Sequence, residues 1–96
     1  MLYLHQHMSR RERLFVKKIQ NGWNGLSTTE LGIINLQFSI VFQLQSVDKG
    51  HIDIVKNHLT KGEFTDALEK LSSVVGTEVA IELTREIRNL INAQQK

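Results

Sequence analysis

Apolar residues recur at helical spacing along almost the whole chain, and in one stretch they form two stripes rather than one. Between Leu31 and Val47 no residue is charged. Ile33, Leu36, Ile40, Leu44 and Val47 follow one three-four spacing, and Leu31, Ile34, Phe38, Val41 and Phe42 follow another. At about 100° per residue the two sets lie on opposite sides of a helix. A helix that is apolar on two sides needs cover on two sides. The pattern therefore predicts a central, uncharged helix over about 28–46, with Ile40 and Phe38 both in the core. Part of the stretch, Leu36 to Leu44, alternates and is rich in strand formers, which leaves a strand as the rival reading. The upstream capping signal and the length of the pattern favour helix.

Four further helices can be read. Ser9-Arg10-Arg11-Glu12 has the spacing of a capping box, in which the serine side chain caps the helix and the glutamate reaches back. It opens a first helix from about Arg10 to Gln20, with Met8, Phe15, Val16 and Ile19 inward and Asn21-Gly22 as the stop. Trp23-Asn24-Gly25 reads as a turn pinned to the core by the indole. A second capping box, Ser27 to Glu30, opens the uncharged helix, and Leu26 and Leu31 stand at the positions of a hydrophobic staple. Asp48 is placed to cap a helix from about Lys49 to Thr60, with Ile52, Val55 and Leu59 inward. Lys61-Gly62 breaks it. The next helix runs from about Glu63 to Val74 on Phe64, Ala67, Leu68 and Leu71, and the last from about Glu78 to Ala93 on Val79, Ala80, Leu83, Ile87, Leu90 and Ile91. Leu14, Ile54 and Ile81 fall where these patterns predict solvent.

The stretch from Lys61 to Leu71 resembles the second helix of a tetratricopeptide repeat, where a Gly-acid-aromatic turn precedes an Ala-Leu pair. The resemblance covers one hairpin at most. No second copy occurs at the period of such arrays, and a single repeat cannot bury its own faces. The segment is read as a generic helical hairpin. The fold class expected is all-α: a compact bundle of about five helices around the uncharged one, forming one domain over 1–96 with 1–8 and 94–96 frayed.

Composition narrows the chemistry. The 96 residues are 41% apolar and 23% charged, as in globular proteins. With no cysteine, disulfides, thiolate metal sites and cysteine nucleophiles drop out together. With no proline, the helices run uninterrupted. Met1 to Met8 has neither the basic start nor the apolar run of a signal peptide. The uncharged helix is short for a membrane span and carries Asn35, Gln37, Gln43 and Gln45. A cytoplasmic protein without membrane contact is expected.

No constellation of residues signals catalysis. The serines lie outside any Gly-x-Ser-x-Gly context, and Gly22 to Gly25 is no phosphate loop. Glu78, Glu82 and Glu86, interleaved with Arg85 and Arg88, read as a solvated face. His5 and His7 form a weak pair. His51 and His58 are seven apart, about 10 Å along a helix, too far to share one ion unaided. No metal, cofactor or catalytic residue is expected, and the chain is not expected to be an enzyme.

The strongest polar signal is in the first helix. The net charge is +2, but Arg10, Arg11, Arg13, Lys17 and Lys18 face Glu12 alone there, whereas residues 51–96 hold six basic and seven acidic side chains. The cations cover nearly half the helix circumference, with Leu14 among them. Such a face can be the wet side of the helix, meet an acidic protein, or neutralise phosphates. Arg10, Arg11, Arg13, Leu14, Lys17 and Lys18 are the candidate partner-binding residues. The function expected is a non-enzymatic protein–protein interaction module, a small adaptor, inhibitor or regulator that forms a homodimer. The alternative is a nucleic-acid-binding regulator using the first helix.

Overall fold

The structure, a computed structural model, describes residues 3–94. A 3₁₀ turn at Tyr3–His7 leads into α1 (Arg10–Asn21), and a short turn at Trp23–Gly25 into α2 (Thr28–Leu44). Then follow α3 (Lys49–Thr60), α4 (Phe64–Val75) and α5 (Thr77–Gln94). The described residues contain no strand, so the alternation within α2 is not expressed as one.

Local signals set the helix ends. In α1 the Ser9 hydroxyl accepts from the Glu12 N–H at 3.3 Å while Glu12 Oε1 accepts from the Ser9 N–H at 2.9 Å. The same reciprocal pair joins Ser27 and Glu30 at the start of α2. Asp48 stands at the N-cap of α3 but makes no side-chain capping bond. The far end of α2 comes earlier than the periodicity suggests. Ser46 adopts a left-handed φ of 50°, the Val47 N–H donates to the Phe42 carbonyl, and the Ser46 N–H donates to that of Gln43. These are the two bonds of a Schellman ending, which folds Val47 back onto the core. Glycine usually takes the left-handed position because a Cβ is disfavoured there. Ser46→Gly is therefore expected to stabilise the protein by up to about 1 kcal/mol in urea melts, and a loss of stability would contradict this account of the turn.

The core does not centre on α2. Phe64, Ala67, Leu68 and Leu71 of α4 are all fully buried, and α4 packs against α3, α5, α1 and the N-terminal turn. The main neighbour of α2 is α5. Its contribution to the centre is Phe38, whose ring meets that of Phe64 edge-on at 6.2 Å. The expected central uncharged helix is thus a peripheral one. Ile34, Phe38 and Phe42 face inward, while Leu36, Ile40 and Leu44 of the opposite stripe are exposed. The reason lies in how the remaining helices are spent. α1 and α3 both lie on α4, which leaves α5, with Phe64 of α4, to cover one side of α2 and nothing among the described residues to cover the other.

Two surface assignments also change. Residues 3–8, expected to fray, lie against the body: Leu4 and Met8 are buried, and the Leu4 N–H donates to Glu69 Oε1 at 3.4 Å. Ile81, expected in solvent, is half-buried against the core. The fraying expected at residues 1, 2, 95 and 96 falls outside the described residues.

The last turn of α1 and the loop after it tie the α3–α4 hairpin to the rest. Gln20 Nε2 donates to the Gly62 carbonyl at 3.0 Å, and Gln20 Oε1 accepts from the Thr65 N–H at 2.8 Å. Trp23 packs its ring beside Phe64, with 6.0 Å between centroids, so the indole does pin its turn to the core.

Candidate functional site

The most unusual surface is the outer face of α2. Leu36 is 58% exposed, Ile40 39% and Leu44 75%, a spacing of four that sets them in one row. Around them Gly32, Asn35 and Gln43 are exposed and Ile33 is half-buried. Scattered exposed aliphatics are ordinary, but three aligned on one helix face, with no charged residue between Leu31 and Val47, mark that face out.

The row runs into a groove between the C-terminal half of α2 and the N-terminal half of α5, with a volume of about 830 Å³. Leu44 belongs to both, and Val41, Val79 and Ile81 supply apolar walls. Glu78, Glu82 and Glu86 line the α5 side. Arg85 Nη1 lies 3.4 Å from Glu82 Oε1. The sequence marks the α5 side as an acidic row, whereas the α2 side takes Leu44 from the exposed stripe and Val41 from the buried one. That the two adjoin is a matter of tertiary packing.

The six residues singled out in α1 lie elsewhere. Arg10, Arg11, Arg13, Leu14, Lys17 and Lys18 are all exposed and form one face, with Leu14, 55% exposed, near its middle. Among the described residues none of the five cations is in an ion pair. Arg13 Nη1 donates to the Met8 carbonyl at 3.4 Å.

The one acid of α1 does not offset that charge locally, because Glu12 points into the protein and is only 5% exposed. Its Oε2 accepts from Nε of Arg85 at 3.0 Å, with Nη2 of Arg85 also at 3.0 Å. Burial pushes the Glu12 carboxyl upward and is the largest single influence. The Ser9 N–H, the Arg85 hydrogen bond and charge, and the Ser9 hydroxyl together outweigh it, and the carboxyl sits below its ordinary value of 4.5. A carboxylate whose acidity is raised by folding stabilises the fold above its unfolded pKa, and that contribution is lost as pH falls through the folded one. Arg85→Ala is expected to cost about 1–2 kcal/mol at pH 7, Arg85 being half exposed. The gap from wild type should close as pH falls below 4.5. Urea melts at a series of pH values check this, and a gap independent of pH would refute it.

The histidines separate by role. His58 Nδ1 lies 2.8 Å from Glu63 Oε1 across the α3–α4 turn. With Asp66 they form a group whose nearest ligand atoms lie within 4.8 Å of one another. Glu63 and Asp66 stand at the start of α4, where the helix dipole favours carboxylates, and His58 stands in the last turn of α3, where it favours a cation. Glu63 makes no side-chain capping bond, so its partner here is His58. His51, seven residues before His58, is not part of this group.

The surface of this molecule thus offers an apolar α2 row leading into an acidic-sided groove and, on α1, an unpaired basic face. Comparison of the chain with protein-family models, with curated proteins and with solved structures gives no match.

Proposed function

We propose that this chain is a cytoplasmic, non-enzymatic protein–protein interaction module, an adaptor, inhibitor or regulator whose contact surface is the outer face of α2. One observation carries this reading: Leu36, Ile40 and Leu44 stand exposed in a row within a stretch, Leu31 to Val47, that holds no charge. Three large aliphatics held in water forgo the free energy of burial, about 1.5–3 kcal/mol for a fully covered side chain. A bound partner recovers it. The candidate surface shifts accordingly from α1, where the charge pattern pointed, to α2. Photo-crosslinking in the chain's own cells tests this. A benzophenone amino acid at Leu36 or Leu44 is expected to give protein adducts that are absent when it replaces Ile54, which is 45% exposed on α3. Absence of adducts from both α2 positions would end the reading.

The alternative, a nucleic-acid-binding regulator, is supported by the unpaired cations of α1. Binding through phosphates releases counterions and must weaken steeply with salt. In the leading reading, duplex binding measured by fluorescence anisotropy is weak, indifferent to sequence and gone near physiological salt. A tight complex with one defined duplex, lost when Arg10, Arg13 and Lys17 become Gln, would favour the alternative.

A further inference from the structure

We infer that the partner of α2 is the α2 of a second copy of this chain, laid antiparallel across a two-fold axis at Ile40. This rests on the reading of α2 as the contact surface and adds the identity of what covers it.

A two-fold contact sets a patch against its own image. The face of α1 would bring five cations against five, and the row Glu78, Glu82 and Glu86 would bring carboxylates against carboxylates. Neither face can pair with itself at low cost. The α2 row can, because nothing between Leu31 and Val47 is charged. The same neutrality gives a foreign partner no charge by which to be steered or selected.

Register agrees with this. Leu36 and Leu44 stand four residues either side of Ile40. An axis at Ile40 therefore lays Leu36 beside Leu44 of the second copy, and Leu44 beside its Leu36, with the two Ile40 side chains meeting in the middle. Antiparallel helices also oppose their macrodipoles.

Area sets the strength. Seventeen residues make α2 about 25 Å long. One such helix on another buries on the order of 1,000 Å² in all, the low end for specific interfaces. The dimer is therefore reversible, with a dissociation constant of about 1–100 µM.

The chain has no cysteine, which makes the test direct. Single cysteines are placed at Ile40, Leu14 and Ile54, and copper-catalysed oxidation is followed on non-reducing gels. Ile40→Cys is expected to give a disulfide-linked dimer at least tenfold faster than Leu14→Cys or Ile54→Cys. In parallel, sedimentation equilibrium of the full chain up to about 0.5 mM should show a monomer–dimer equilibrium. Ile40→Lys should abolish it without lowering the thermal midpoint of the dilute protein, while replacing Arg10, Arg13 and Lys17 by Gln should leave it intact. A wild-type monomer at the highest concentration, equal oxidation rates at the three sites, or a dimer indifferent to Ile40→Lys would each overturn the inference. A monomeric chain whose benzophenone at Leu36 captures a different protein would overturn it while sustaining the interaction-module reading; absence of any adduct would remove both.

Discussion

Phe38→Ala is expected to cost about 3–5 kcal/mol, whereas Ile40→Ala, two residues along the same helix, should cost less than about 0.5 kcal/mol. Phe38 is fully buried, with its ring 6.3 Å from that of Phe42 and edge-on to Phe64. Truncation leaves a cavity where three rings meet and removes aromatic contacts worth more than their area alone. Ile40 is 39% exposed on the outer row. Alanine there gives up only partial cover and leaves no enclosed cavity, and it gains helix propensity over a β-branched residue. Urea melts followed by fluorescence well below about 1 µM, where the dimer has dissociated, give both numbers. A domain of this size has about 5–15 kcal/mol in total, so Phe38→Ala should shift the midpoint visibly. Equal losses at the two positions would mean that α2 is enclosed on both sides after all.

That contrast marks what periodicity can and cannot say. The spacing of apolar residues identified both α2 stripes, but spacing reports which faces are apolar, not which are covered. Leu36, Ile40 and Leu44 read in sequence like Ile34, Phe38 and Phe42, yet only the second set is enclosed. The centrality of α4 was hidden for the converse reason. Its four inward residues form a single ordinary stripe, and their complete burial comes from α1, α3 and α5 converging on it.

Local chemistry was far more legible. Both Ser-x-x-Glu capping boxes formed as read, because every group they need lies within four residues. The bounds of α3 match the expected Lys49 to Thr60, with Gly62 taking the turn. Long-range polar contacts left no local trace. Glu12 reads as a capping residue and is one, but its burial depends on Arg85, 73 positions away. Gln20 reads as the polar end of a helix, yet it bridges Gly62 and Thr65, more than forty positions on. The candidate site follows the same rule. Its acidic wall is visible as a pattern on α5, whereas the α2 wall mixes residues of both stripes and the groove exists only because α2 and α5 lie side by side.

Gly62→Ala is expected to cost about 2–4 kcal/mol, a large effect for one methyl group at a turn. Two separate penalties converge there. The residue has a φ of +77°, where a side chain costs about 1–2 kcal/mol. A Cβ would also stand 2.8 Å from Cδ1 of Trp23, closer than real contacts allow, and 3.1 Å from its Cγ. The indole cannot simply step aside, because its ring lies against Phe64 and the turn beneath is held through Gln20. Ser46 shows that this chain tolerates a left-handed residue where space is open, so the contact with Trp23 is what should set Gly62 apart. A double-mutant cycle separates the two penalties. With Trp23→Ala in place, Gly62→Ala should cost only the backbone part, about 1–2 kcal/mol, leaving a coupling of about 1–2 kcal/mol between the positions. Identical costs in the two backgrounds would show that the glycine serves the backbone alone and that Trp23 does not clamp the α3–α4 turn.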